Sequence, residues 1–311
     1  MAVNKNGIVV MGAVFVDIKG FPDDVYIPDG RNAGKVEYIH GGVSRNVVED
    51  IANMELRPTF LSIVDESALG DAVVRKLNNH KVNTEYIQSA PNGMGTWLAV
   101  FDNNGDLAGS ISQRPDLMPL LGVLEKKGDE IFANADSIII EVDVDKEIVK
   151  KVVELCEKHQ KKLYGVVSNM SIAVERRDFL QKFDCFICNQ LEASMFFADD
   201  FSETAPKELA EILAKKLQLA KIPSMVVTMG GAGSVYADMK GKKGFCPAKK
   251  VQVKDTTGAG DAFCAGVSSG LTYGRTLAES VEIGTRLAAS VITSSENVCP
   301  RFLPGELGIE A

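Results

Sequence analysis

Short apolar runs alternate along this chain with longer stretches in which apolar residues recur every three or four positions. The runs at residues 8–11, 59–64, 137–141, 162–167, 185–188 and 224–229 have the length and composition of buried strands. Residues 44–54, 69–80, 146–159, 191–197, 206–219, 259–271 and 276–294 carry the helical period, with Ser44 available to cap the first of them. A further apolar alternation at 250–253 predicts a short strand end. Strand and helix in this regular alternation predict an α/β protein on a doubly wound, mostly parallel sheet flanked by helices.

Two stretches depart from the alternation. Residues 17–40 mix Gly, Pro and Asp turns with short extended pieces such as 36–39. The extended pieces 96–101 and 107–113 flank Asp102-Asn103-Asn104-Gly105-Asp106, whose Asn-Gly step favours a hairpin turn. These stretches predict a small antiparallel sheet, formed by about 17–40 and 96–113, projecting from the main one within a single domain spanning 1–311. So small a sheet leaves an apolar face to cover, which makes self-association through it an expectation.

Composition narrows the function classes. At 311 residues, 45% hydrophobic and 24% charged, the chain is long enough for one large α/β domain with a small appendage. A net charge of −8 argues against a surface that tracks nucleic-acid phosphates. No apolar run reaches the ~18 residues that suggest a membrane span, and the start leads into the first strand without the pattern of a signal peptide. Cys185 and Cys188 are the one close pair among six cysteines, the three histidines are dispersed, and core thiols in a reducing cytoplasm are favoured over a zinc site.

The densest chemical signal is Asp255-Thr256-Thr257-Gly258-Ala259-Gly260-Asp261-Ala262-Phe263. Here a glycine-rich turn enters a helix of small residues. The first N–H groups of a helix lack intrahelical acceptors and the dipole adds positive potential, so an anion can be held without a basic side chain. Gly258 and Gly260 would let that anion approach the backbone closely. Asp261, in the first helical turn, is either a dipole-compensating residue or a general base beside the anion.

Other segments carry weaker signals. Gly41-Gly42-Val43-Ser44-Arg45-Asn46 is a second turn entering a helix, and Asp17 follows the first strand, where open α/β sheets collect ligands. Asn189-Gln190-Leu191-Glu192 begins a helix, and residues 226–236 include a third glycine-rich turn with Thr228, Gly230 and Gly233. Taken singly, each has a plain structural explanation as a helix start, a solvated turn or a hairpin. No Gly-x-x-x-x-Gly-Lys-[Ser/Thr] occurs, which removes a P-loop NTPase, and no Gly-x-Gly-x-x-Gly follows the first strand, which weakens a dinucleotide oxidoreductase.

Together and in this order, the segments resemble the PfkB family of carbohydrate and nucleoside kinases, with its ribokinase-like fold. The resemblance implies transfer of the γ-phosphoryl group of ATP to an acceptor hydroxyl, with Asp261 as the base and the amides of Gly258, Ala259 and Gly260 as the anion hole. It assigns Asp17, Gly41, Gly42 and Asn46 to the acceptor, Thr228, Gly230 and Gly233 to the nucleotide, and Asn189 and Glu192 to Mg²⁺. Asp255 and Thr257 match positions that hold a monovalent cation such as K⁺ in some relatives. The small sheet would be a lid over the acceptor and the interface of a homodimer.

The resemblance implies a small-molecule acceptor, a sugar or a nucleoside. Gly42-Val43-Ser44-Arg45-Asn46, Asp17-Ile18-Lys19-Gly20, residues 94–102 and Ser295-Glu296-Asn297-Val298-Cys299-Pro300 look most similar to the pseudouridine kinase branch. That implies a nucleoside phosphorylated at its ribose 5′-hydroxyl, with a free sugar such as ribose or fructose as the alternative. Gln113-Arg114-Pro115, where a shorter acidic turn is expected, and Gly165-Val166-Val167-Ser168-Asn169, which lacks an acid seen in many sugar kinases, depart from the pattern. A non-catalytic sugar- or nucleoside-binding regulator on the same fold would lack the base or the anion-hole glycines, and both are present.

Overall fold

The computed structural model describes residues 6–310. The chain opens with β1 (Gly7–Met11), β2 (Phe15–Pro22), β3 (Gly34–Gly41) and α1 (Val43–Asn53). It continues through β4 (Thr59–Leu61), β5 (Ile63–Val64), α2 (Ala68–Asn79), β6 (Gln88–Ser89), β7 (Gly95–Phe101) and β8 (Leu107–Gln113). The middle comprises α3 (Pro119–Ala133), β9 (Ala135–Glu141), α4 (Lys146–His159), β10 (Lys162–Val166), and the one-turn helices α5 (Met170–Ala173) and α6 (Arg177–Leu180). Then come β11 (Cys185–Asn189), α7 (Gln190–Phe197), α8 (Pro206–Ala220), β12 (Ser224–Thr228), β13 (Ser234–Asp238), β14 (Lys243–Cys246), α9 (Ala259–Thr272) and α10 (Leu277–Val291).

The main sheet has the order β14-β13-β12-β11-β10-β9-β1-β4, parallel from β12 to β4 and antiparallel at the β13 and β14 edge. Every residue of β1 is buried, because both faces of the sheet are covered. Val9 and Met11 pack into one core with α3, α4 and α8, whereas Ile8 and Val10 pack into the other with α1, α9 and α10. Cys185 and Cys188 fall into opposite cores, since residues three apart on a strand face opposite sides. They cannot share one metal, and all six cysteines are free thiols.

A second sheet has the order β3-β2-β7-β8. Its outer pairs are antiparallel and its central pair, β2 with β7, is parallel. Strand alternation gives it two unlike faces. Ile39, Asp17, Trp97 and Ser112 form one cross-strand row. Tyr38, Ile18, Leu98 and Ile111 form the next, on the other face.

Several local expectations change. The apolar alternation at 250–253 is not a strand; it runs along the surface with Val253 exposed and no ladder partner. The run at 59–64 breaks into β4 and β5 at Ser62, whose hydroxyl turns inward to donate to the Gly12 carbonyl at 2.6 Å. Ser44 does not cap α1. Gly42 occupies that position, and the Ser44 hydroxyl donates to the Met11 carbonyl instead.

Candidate active site

The carboxyl ends of β1, β9, β10, β11 and β12 share one edge of the main sheet, and the second sheet stands over it. The topology reverses at β1, whose neighbours β4 and β9 follow on opposite sides, so a crevice opens there. A cavity of about 510 Å³ occupies the crevice, within the range of small-molecule sites. Asp17, Gly41, Gly42, Asn46, Thr257 and Asp261 all line it. Residues more than two hundred positions apart are thereby brought to one place.

The turn before α1 is held from three sides. Glu141, at the end of β9, accepts from the backbone N–H of Ser44 at 2.8 Å and of Ala13 at 3.3 Å, so a carboxylate from another strand satisfies the helix N-terminus. Burial and the neighbouring Asp143 raise the pKa of Glu141 above the carboxylate range. Arg45, almost wholly buried, donates to the carbonyls of His40 and Gly41 and is paired with buried Glu49 at 2.5 Å. Glu49 also faces Lys76 at 3.0 Å. A Cβ at Gly41 would lie 3.0–3.2 Å from the Asp17 carboxylate, so any side chain there would push that acid aside from its place against the turn.

Asp261 lies in the first turn of α9, after Gly258, the residue that caps it. Its Oδ2 accepts from the Nδ2 of Asn46 at 2.6 Å. This bond joins the glycine-rich turn to the α1 turn, and the Asn46 Oδ1 stays without a protein partner. Burial raises the Asp261 pKa to about 7, against the lowering effects of the Asn46 hydrogen bond and the Arg45 charge, while Glu192 adds to the rise. A carboxyl that ionises near neutrality beside helix-start N–H groups can accept a hydroxyl proton while negative charge is drawn onto the amides, although the Ala259 N–H, expected to be free for the anion, donates to the Thr256 carbonyl at 3.2 Å. A Cβ at Gly260 would meet nothing within 4 Å, so that side of the turn is open.

The remaining expected site residues lie along the same edge, outside the lining of this cavity. Asn189 and Thr228 are register partners at the ends of β11 and β12. Gly230 and Gly233, both with positive φ, form the tight turn from β12 into β13. Asn189 and Glu192 form a reciprocal capping box on α7, with bonds of 2.7 and 2.8 Å. Burial, first of all, lifts the pKa of Glu192, against the lowering effect of the Asn189 N–H bond, and the Asp143 charge adds to the rise. One of its oxygens, Oε1, is left over by the cap. That donor set fits a Mg²⁺ held mostly through water, which needs few protein oxygens. Asp255 accepts from the Thr257 N–H at 2.9 Å, an Asx-turn that shapes the glycine-rich loop.

Other cavity residues carried no assignment in the sequence. Glu141 ends an apolar strand with an acid, a signal in plain view, and Asp143 follows it. Asn297 lies within the C-terminal segment 295–300, and its Nδ2 donates to the His40 carbonyl at 3.0 Å. The same segment is tied to α1 by the Cys299 N–H to Asp50 at 2.6 Å and by Asn53 to the Cys299 carbonyl at 2.7 Å. Trp97, Arg114 and Arg176 complete the wall.

An acid poised beside a helix N-terminus, at the carboxyl edge of a doubly wound sheet with a second sheet over it, is the arrangement expected of a kinase of sugars or nucleosides. The chain belongs to the pfkB family of carbohydrate kinases, which it matches over residues 5–299. It is 35% identical to a guanosine-inosine kinase of Exiguobacterium acetylicum, covering 94% of this chain and 96% of that protein. It is 24% identical to the pseudouridine kinase of Escherichia coli, covering 89% of this chain and 87% of that protein. Among solved structures, the ribokinase of Arabidopsis thaliana complexed with ribose and ATP superimposes with a TM-score of 0.83 at 18% identity, covering 97% of this chain and 98% of that one.

Proposed function

We propose that this enzyme transfers the γ-phosphoryl group of ATP to the 5′-hydroxyl of a ribonucleoside. The observation that carries the reading is the Asn46–Asp261 bond inside a cavity that also contains Asp17. In this reading Asp17 accepts from the two vicinal ribose hydroxyls, and Asn46 Oδ1 and the Gly42 turn orient the sugar. Asp261 takes the 5′-hydroxyl proton, and the amides of Gly258, Ala259 and Gly260 receive the negative charge of the transferring group. Phosphoryl transfer asks the protein chiefly for such positioning and charge stabilisation. Thr228, Gly230 and Gly233 would contact the nucleotide. Asn189 and Glu192 would hold Mg²⁺, which neutralises phosphate charge, and Asp255 and Thr257 border the place a K⁺ ion would take.

A purine ribonucleoside is the first choice of acceptor, supported by 35% identity to the guanosine-inosine kinase across nearly its whole length. Pseudouridine, the expectation from the motifs, stands second with the more distant relative. Incubating the enzyme with Mg-ATP and guanosine, inosine, pseudouridine, ribose or fructose in turn tests the reading. Turnover confined to the free sugars would sink it.

Ionisation of Asp261 gives a second check. The carboxylate is the active form of the base, so kcat/KM for the acceptor should rise with pH through a single step near the raised value of about 7 and level off above it. A profile flat from pH 5.5 to 8.5 would remove Asp261 as the titrating base.

We further propose a single domain in which the four-stranded sheet acts as a lid, in a cytoplasmic homodimer joined through the sheet's outer face. Tyr38, Leu98 and Ile111 are 60%, 41% and 71% exposed in one row, an apolar stripe that a second copy would cover. Ile111→Glu should shift the protein from dimer to monomer in sedimentation analysis, and a wild type that sediments as a monomer at micromolar concentration would remove the dimer.

A further inference from the structure

We propose that Arg114 reads the base of the acceptor, donating hydrogen bonds to the O6 and N7 atoms of a 6-oxopurine, and so selects guanosine and inosine over adenosine. The proposal rests on the nucleoside reading above and assigns its base specificity to one side chain.

Arg114 follows β8 and continues the face on which Ser112 lies, two residues earlier in extended chain. Ser112 belongs to the row that holds Trp97 and Asp17. From Asp17 to that outer strand is two strand spacings, about 10 Å. This is the scale of a nucleoside from its ribose diol to the far edge of its base. With the diol on Asp17, the base lies along the row toward Arg114. Apolar side chains of Phe15, Trp97, Leu117 and Ile172 line the same cavity and offer flat or smooth surfaces to a planar ring.

The guanidinium is aimed by an anchor that is itself fixed. Its Nη2 donates to the Asp143 carbonyl at 2.9 Å and lies 3.5 Å from the Asp143 carboxylate. Asp143 is buried and accepts from the Ser168 N–H at 3.0 Å. Nη1 and Nε have no partner among the described residues, and the side chain keeps 47% of its surface exposed. An arginine has five donors and no acceptor. It therefore matches the two adjacent acceptors of a 6-oxopurine and opposes the 6-amino donor of adenine. The alternative, a clasp on the ATP phosphates, is disfavoured by the carboxylates of Asp143 and Asp145 lining the same cavity.

The test compares wild type with Arg114→Ala and Arg114→Lys in three measurements: kcat/KM for guanosine, inosine and adenosine, the KM for ATP, and the calorimetric Kd of guanosine without nucleotide. The expected result for Arg114→Ala is a loss of roughly 10- to 100-fold in kcat/KM for guanosine and inosine. It comes with a matching rise in guanosine Kd, little change for adenosine, an unchanged KM for ATP and an unchanged melting temperature. Lysine, lacking the planar fork, should restore little of the preference. Equal losses on all three nucleosides, or a raised KM for ATP with the preference intact, would overturn the assignment, the latter in favour of the phosphates. A wild type that phosphorylates guanosine and an Arg114→Ala variant that keeps its preference remove the assignment alone. A wild type that phosphorylates no nucleoside removes the nucleoside reading and the assignment with it.

Discussion

Asp261→Asn lowers kcat by about 10²–10⁴-fold while the protein stays folded, because a positioned general base contributes on that order and the amide cannot accept the proton. The change is nearly isosteric, and Asn46 can still bond to the new side-chain oxygen. Its effect on stability has a definite sign. The folded state keeps the Asp261 proton between the ordinary carboxylate value of 3.8 and about 7, whereas the unfolded chain has released it. Wild-type stability therefore falls as pH rises through that window, and the asparagine variant is spared the loss. At pH 8 the variant should melt at the same temperature as the wild type or higher. Calorimetry beside steady-state kinetics checks both halves, and near-normal turnover in the variant would remove Asp261 from the role of base.

Gly258→Ala should be the most damaging single methyl in the chain. Gly258 has φ 80°, a conformation that strains any residue with a side chain, and an added Cβ would lie 2.0 Å from the Asn297 carbonyl oxygen. Relief requires either the glycine-rich loop or the segment around Asn297 to move. The loop carries the amides assigned to the transferring phosphoryl group, and loss of one such donor costs on the order of 10²–10³ in kcat. Asn297 also holds the His40 carbonyl, next to the turn that packs on Asp17, so the same methyl disturbs the acceptor side. A fall in kcat, a raised acceptor KM and a stability loss of about 1–3 kcal/mol should appear together. Unchanged kinetics would show that these amides do not contact the reacting group.

The parallel sheet was legible because its strands are buried on both faces and read as continuous apolar runs. Helices α1, α2, α4, α8 and α9 were legible from their apolar period, and their ends fell within a residue of expectation. α3 was not foreseen. Gly122 and Gly128 dilute its helical signal, and Met118, at its cap position, makes no side-chain cap, although Pro119 at the first helical position is a start signal that was missed. β13 and β14 were hidden because the glycines between β12 and β13 read as a turn without showing that two further strands follow. The stretch at 250–253 misled because alternation alone does not supply a ladder partner.

The site was legible in the same uneven way. Residues whose chemistry depends on backbone shape, such as Gly41, Gly42 and Gly258, announce themselves by a glycine-rich spelling. Arg114 and Asn297 depend on what the fold brings beside them, over separations such as the 257 residues between His40 and Asn297, and no local pattern encodes that. The capping box of Asn189 and Glu192 shows the converse, a spelling that serves helix and ligand alike.

The central claim is an orientation, with the ribose diol on Asp17 and the 5′-oxygen at Asp261. The position of the transferred phosphate tests it most directly. Phosphorus–proton correlation spectra of the product formed from guanosine and ATP should show phosphorus coupled to the two C5′ protons, with ADP as the co-product. Phosphate on the 2′ or 3′ oxygen would place the wrong hydroxyl at Asp261 and contradict the account.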